Sequence, residues 1–164
     1  MKMTHAQRYA ALTALTKRAD NLDTAYHAAF YLLATDKALF EKTCAYVSVD
    51  GIDFPLMKRN CRDLDENQKQ LLSVAHSLFS WTSRCTVTPY DLSCLGYPAL
   101  DYVCSALYIA NGMVRVQVRE NDAGEPELAL DMSKYEKNKK IYGLMFGPPD
   151  LPQELEPEDM EQGR

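Results

Sequence analysis

Apolar residues recur at helical spacing through most of the first 110 positions and change to strict alternation only after them. Thr4 precedes a run in which Tyr9, Leu12 and Leu15 repeat, with Ala10, Ala11 and Ala14 between them. That spacing predicts a first helix from Thr4 as N-cap to about Arg18. Asp20-Asn21 breaks the pattern. Asn21 or Asp23 then caps a second helix burying Leu22, Ala25, Tyr26, Ala29, Phe30 and Leu33. Thr35-Asp36 caps a third, which carries Leu39, Phe40, Cys44, Tyr46 and Val47. From Ser48 to Leu64 the chain reads as irregular: Asp50-Gly51 signals a turn, and Pro55 stops helix propagation from before it. The clearest helix follows. Asp65 caps it, Gln68 holds the capping-box position, and Leu71, Leu72, Val74, Ala75, Leu78, Phe79 and Trp81 form its buried face. This helix is expected at the centre of the core. Thr88 and Pro89 pair as N-cap and first residue of a short helix through Leu95, which Gly96 ends. Pro98 opens another, Ala99–Ala110, burying Leu100, Val103, Cys104 and Leu107, with Tyr108 as a further candidate.

Asn111-Gly112 admits two readings. It terminates the helix in the left-handed conformation, or it is the tight turn of a hairpin with Tyr102–Ala110 as a strand. Pro98 and the 100/103/104/107 spacing fit the helix better. Beyond it, Met113–Arg119 and Leu128–Met132 each alternate apolar and polar residues, with Asn121–Pro126 as a loop between them. That is a β-hairpin with one apolar face. A lone hairpin is marginal in water, so Val114, Val116, Val118, Leu128 and Leu130 must cover the helical core or a partner. Lys134, Lys137, Lys139 and Lys140 follow as a basic segment broken by Glu136, and Ile141, Tyr142, Leu144, Met145 and Phe146 follow as a short apolar anchor. These five hairpin residues and four lysines are the candidate partner-binding residues. The expected architecture is mainly α, with a small β part. It is a single compact domain of five to six helices with a C-terminal β-hairpin and a flexible acidic tail. It divides into a helical part over 1–112, a hairpin and basic segment packing on it over 113–146, and a tail over 147–164.

Charge sharpens the division at the tail. The chain of 164 residues carries a net charge of −5, and Gly147–Arg164 accounts for all of it with six acids against Arg164. Acids and bases are equal in number over Met1–Phe146. The fold is therefore electrically balanced, which excludes reading it as an acidic mimic of nucleic acid. The tail, opened by Pro148-Pro149 and Pro152, is too polar and proline-rich to offset its own ordering entropy and is expected to be disordered. An electrostatic contact between this tail and the lysine segment is the alternative.

No segment has the apolar length of a bilayer span, and the N-terminus enters polar helical sequence with no apolar leader, so a cytoplasmic location is expected. The five cysteines (Cys44, Cys61, Cys85, Cys94 and Cys104) form no CxxC pair and read as small hydrophobes in a reducing compartment. Cys61, Cys85 or Cys94 with His76 lacks the paired spacing of a structural zinc site, so no metal and no cofactor are expected. No nucleophile motif or phosphate loop is present, and no catalytic residue is assigned. The enzyme alternative is Asp23 and His27 at i, i+4, with Tyr31 one turn on, as an acid–base group. The same pair is also an ordinary helix-surface contact. His76 reads as a half-buried core histidine. Lys58, Arg59 and Arg62 form a basic patch that Asp53, Asp63 and Asp65 are expected to neutralise. It has no glycine-rich loop or helix N-terminus to hold an anion. Direct contact with nucleic acid is not expected.

Phe30-Tyr31-Leu32-Leu33-Ala34-Thr35-Asp36, Asp50-Gly51-Ile52-Asp53, Ala75-His76-Ser77-Leu78-Phe79-Ser80-Trp81 and Thr88-Pro89-Tyr90-Asp91-Leu92 follow one another along residues 26–110. In these features the chain resembles a family of small uncharacterised helical proteins, a domain of unknown function, from gut Firmicutes and their mobile elements. The resemblance implies a helical fold and a bacterial cytosolic setting, and it carries over no site. The hairpin, lysine segment and acidic tail are additions to that pattern. The functional expectation is a non-enzymatic protein-interaction or regulatory module with a protein partner and a homodimer as one possible assembly. The alternatives are an anti-defence inhibitor resembling an anti-CRISPR protein, and a small acid–base enzyme using Asp23 and His27.

Overall fold

Ala28–Ala34 is an unbroken apolar run, and a helix apolar on every side belongs inside a protein. The computed structural model, which describes residues 2–16, 21–84 and 86–154, places it there. Helix α2 (Thr24–Leu33) packs against α5 (Glu66–Phe79), α7 (Ala99–Asn111) and α1 (His5–Ala14), and Ala28–Ala34 are all buried. The centre of the core is thus α2. Expecting α5 there gave too much weight to its clean amphipathic stripe, which marks a helix with one wet face.

The remaining elements are α3 (Lys37–Thr43), a single 3-10 turn (Cys44–Tyr46), α4 (Phe54–Asn60), α6 (Pro89–Ser93) and α8 (Ser133–Phe146). Two antiparallel hairpins complete them: β1 (Val47–Ser48) with β2 (Gly51–Ile52), and β3 (Arg115–Glu120) with β4 (Pro126–Asp131). The fold is mainly helical. Its first six helices each start on a Thr or Asp whose side-chain oxygen accepts a backbone N–H from the opening turn. These residues are Thr4, Asp23, Asp36, Asp53, Asp65 and Thr88. Such caps contribute about 1 kcal/mol each. At Asp53 the cap overturns the expectation of an irregular stretch. Pro55 lies in the first turn of α4, where its missing N–H costs nothing, so it opens a helix where it was expected only to stop one.

Asn111-Gly112 is a helix end. Gly112 takes φ +78° in the left-handed region, its N–H bonds the Ile109 carbonyl, and Tyr102–Ala110 is helical. The buried face of α7 is Ala99, Val103, Ala106 and Ile109. Leu100, Cys104, Leu107 and Tyr108, expected inside, lie outside. Because α7 is apolar nearly all round, spacing alone does not fix which side turns inward. Trp81 is a second correction. Helix α5 stops at Phe79, Ser80 turns extended, and Trp81 is 94% exposed.

Strands β3 and β4 pair Val116 with Leu130 and Val118 with Leu128, which puts the apolar residues on one face. Strand β4 packs on α1. Val114 is buried in the core, and Val116, Leu128, Leu130 and Met132 pack against it.

The chain divides into two units, Met1–Met132 and Ser133–Arg164. The hairpin therefore belongs with the helices, and the basic segment, expected to pack with the hairpin on the helical part, falls in the second unit. That segment is the 14-residue helix α8. Of the expected acidic tail, residues 155–164 lie outside the described residues.

One buried cation holds the end of α2. The guanidinium of Arg8 donates through Nε to the Ala34 carbonyl at 2.7 Å and through Nη2 to that of Thr35 at 2.9 Å. Nη1 donates to the Met3 carbonyl. The last carbonyls of a buried helix have no intrahelical donor, and Arg8 supplies one. Arg8→Met keeps the apolar stem but removes every donor. It is expected to lower the urea-unfolding free energy by about 2–4 kcal/mol, the cost of stranding buried carbonyls. A loss below about 0.5 kcal/mol, the usual size of a surface substitution, would show that water replaces the guanidinium there.

Candidate functional site

Helix α4 and the turn after it present Lys58, Cys61 and Arg62 at i, i+3 and i+4. Helix α5 presents Lys69, Leu72 and Ser73 at the same spacing. The two triplets line a pocket of about 300 Å³ in the first unit. Its apolar part is buried Leu72 and Cys61, and its polar part is dominated by three cations.

The acids expected to neutralise this patch are engaged elsewhere. Asp53 caps α4 by accepting from the Leu56 N–H at 3.0 Å, and Asp65 caps α5 by accepting from the Gln68 N–H at 2.8 Å. Asp63 accepts from Lys42 Nζ at 2.6 Å, and that bond is the main reason its carboxyl titrates below the usual carboxylate range. Lys69 has a loose partner in Glu66 at 3.7 Å. Lys58 and Arg62 make no ion pair among the described residues. The Cys61 thiol donates to the Lys42 carbonyl at 3.5 Å, and burial, then Asp63, pushes its pKa up. It is therefore a lining group rather than a nucleophile.

Of the acid–base constellation expected from spacing, Asp23 acts on His27 as a nearby charge, and Tyr31 lies elsewhere. Asp23 caps α2 through the Tyr26 N–H at 3.0 Å. His27 Nδ1 shares a hydrogen bond with the Tyr9 hydroxyl at 2.5 Å, and burial holds that phenol protonated well above its ordinary range. Tyr31 lies against His5 and Tyr102. His76 stacks on Phe54 with centroids 4.7 Å apart, and its Nδ1 has no hydrogen-bond partner among the described residues. The three histidines thus sit in three separate packing environments. No group of His, Cys, Asp and Glu among the described residues is arranged to hold a metal.

Of the partner-binding candidates, Val114 is 2% exposed and Val116, Leu128 and Leu130 are half-buried against the core. Val118, at 47% exposed, presents the most surface of the five. Most of the hairpin's apolar face is covered by its own chain, with Val118 left in the open. Lys134, Lys137, Lys139 and Lys140 are exposed on α8, where Lys139 pairs with Glu136 at 3.9 Å and stands over the Tyr135 ring. No residue of α8 is buried. Its C-terminal half exposes Ile141, Tyr142, Leu144, Met145 and Phe146, with Leu144 88% exposed. Sequence reading missed this helix because a helix with no buried face has no apolar period to detect. No described helix is long and apolar enough to cross a membrane.

The chain matches no family model, no curated protein and no solved structure.

Burial depresses the pKa of His5, His27 and His76 below the ordinary 6.5, and in each case desolvation is the largest cause. A depressed folded-state pKa means that the unfolded chain binds more protons in the window below 6.5. Stability is therefore full above that value and falls as pH drops through it. Urea midpoints are expected to decline from about pH 7.5 to about pH 5.5, and less steeply in His27→Gln. A flat or rising profile over that window would contradict the burial of the imidazoles.

Proposed function

We propose that the protein is a non-enzymatic interaction module whose docking element is α8. The observation that carries this reading is a 14-residue helix with no buried residue and an apolar C-terminal half in the open. An isolated helix of that length is marginal in water, and its stability ordinarily comes from packing. A partner that covers Ile141, Tyr142, Leu144, Met145 and Phe146 supplies that packing.

Charge states what kind of partner fits. Lys134, Lys137, Lys139 and Lys140 outnumber Glu136 in the first half of α8, and the apolar residues follow in the second. The matching surface is a protein groove, apolar at its base and acidic at one end, of the kind that receives a helix. A bilayer surface fits less well. Interfacial helices place charge and apolar groups on opposite faces, whereas α8 separates them along its length and is followed by Asp150 and Glu154. The anti-defence reading is the special case in which the partner is a defence effector.

The test compares the full chain with Leu144→Asp/Phe146→Asp and with Lys137→Glu/Lys140→Glu. A protein captured from the source cells and then purified should bind the wild type directly. It should lose at least about a hundredfold with the apolar double variant, as expected for central anchors of an interface. Charge reversal should slow association in a salt-dependent way. Equal binding by all three forms contradicts the proposal. So does cosedimentation of the wild type with anionic vesicles in place of protein binding, or concentration-dependent self-association that the apolar variant abolishes.

A further inference from the structure

The pocket between α4 and α5 has a property that α8 does not share: it gathers like charge in a concavity. Lys58, Arg62 and Lys69 converge on about 300 Å³ of space, in a segment whose charges were expected to cancel. They do not cancel because the acids have other work. Asp53 and Asp65 are spent on helix caps, and Asp63 is bonded to Lys42. Lys69 has counter-charges in Glu66 at 3.7 Å and, through space, in Asp63, whereas Lys58 and Arg62 make no ion pair among the described residues. The field reaches beyond the rim, since Lys58 adds to the burial that lowers the pKa of His76. Converging cations that outnumber their counter-charges repel one another, and an anion seated among them relieves that repulsion. The guanidinium of Arg62 presents a planar fork of donors, and the two ammonium groups serve as compact point charges. This combination suits the tetrahedral oxygens of a phosphoryl group. Buried Leu72 and Cys61 form an apolar wall beside it. Cys61 takes no chemical part, because its thiol is buried and donates to the Lys42 carbonyl.

We propose that Lys58, Arg62 and Lys69 bind a phosphoryl group in this pocket, either free phosphate or the phosphate of a small monoester whose organic part lies on Leu72 and Cys61. The site is formed within Met1–Met132 and does not depend on the docking role of α8.

The experiment is a titration of the full-length chain, followed by backbone amide NMR, with inorganic phosphate and with phenyl phosphate at constant ionic strength. Saturable shifts centred on residues 58–62 and 69–73 are expected. Lys58→Gln and Arg62→Gln should each weaken binding by about tenfold or more, the scale of one lost charge-assisted hydrogen bond. Lys137→Gln, on α8, should leave it unchanged. Tighter binding of phenyl phosphate assigns the apolar wall to an organic group, and equal affinity assigns the site to free phosphate. Shifts that grow without saturating, that sodium chloride reproduces at matched ionic strength, or that persist in both pocket variants overturn the proposal. The wild-type shift map decides the matter even if a variant misfolds.

Discussion

Burying a helix on every side strands its terminal carbonyls, and the structure of the first unit follows from how that cost is met. Helix α2 has Ala28–Ala34 wholly inside, so no water reaches the end of its last turn. The donors come from Arg8, one helix earlier, which closes on the carbonyls of Ala34 and Thr35. A charged side chain in that position is tolerable only because its hydrogen bonds are made. The same contact orients α1 across α2. A second hydrogen bond, between Tyr9 and His27, holds the two helices together about two turns earlier on α2. With α1 placed, β4 has a surface to lie on, and the β3–β4 hairpin closes over it. Arginine, tyrosine and histidine thus serve here as parts of the packing.

That use of polar groups separates the two candidate functional features. Inside the first unit, the histidines and most acids near the core are committed to caps, stacks and paired hydrogen bonds. The α4–α5 pocket is the exception, where cations remain after the acids have been assigned. In the second unit the situation is reversed, with apolar side chains of α8 in the open and nothing buried. One feature is proposed to take a small anion and the other a protein surface, and the two proposals rest on different physics.

Much of this was legible in the sequence. Caps at Thr4, Asp23, Asp36, Asp65 and Thr88 are local and carry their own geometry, so the starts of those helices could be read directly. The β3–β4 hairpin was equally clear from its alternation. The misses share a cause. Periodicity reports contrast between two faces, so it speaks clearly for α5, while in α2 and α7, apolar nearly all round, it finds the helix without fixing which side turns inward. It is silent for α8, which buries nothing. Pro55 shows a different limit. The same Asp/Thr-Pro logic that located α6 at Thr88-Pro89 applies at Asp53-Phe54-Pro55, where the proline opens α4. The pocket was visible as a basic patch, but its charge was misjudged. Nearness in sequence suggested that Asp53, Asp63 and Asp65 neutralise it, whereas Asp53 and Asp65 cap helices and Asp63, bonded to Lys42, reaches only Lys69 of the three cations through space.

Burial is asymmetric, with Ala28–Leu33 of α2 all buried and no residue of α8 buried. Native-state amide hydrogen exchange on the free, full-length chain measures it most directly. The amides of α2 should exchange only through global unfolding, and those of α8 should exchange by local opening with a free energy near zero. Protection of α8 equal to that of α2 in the free chain would contradict the account, because it would mean that the helix is already covered.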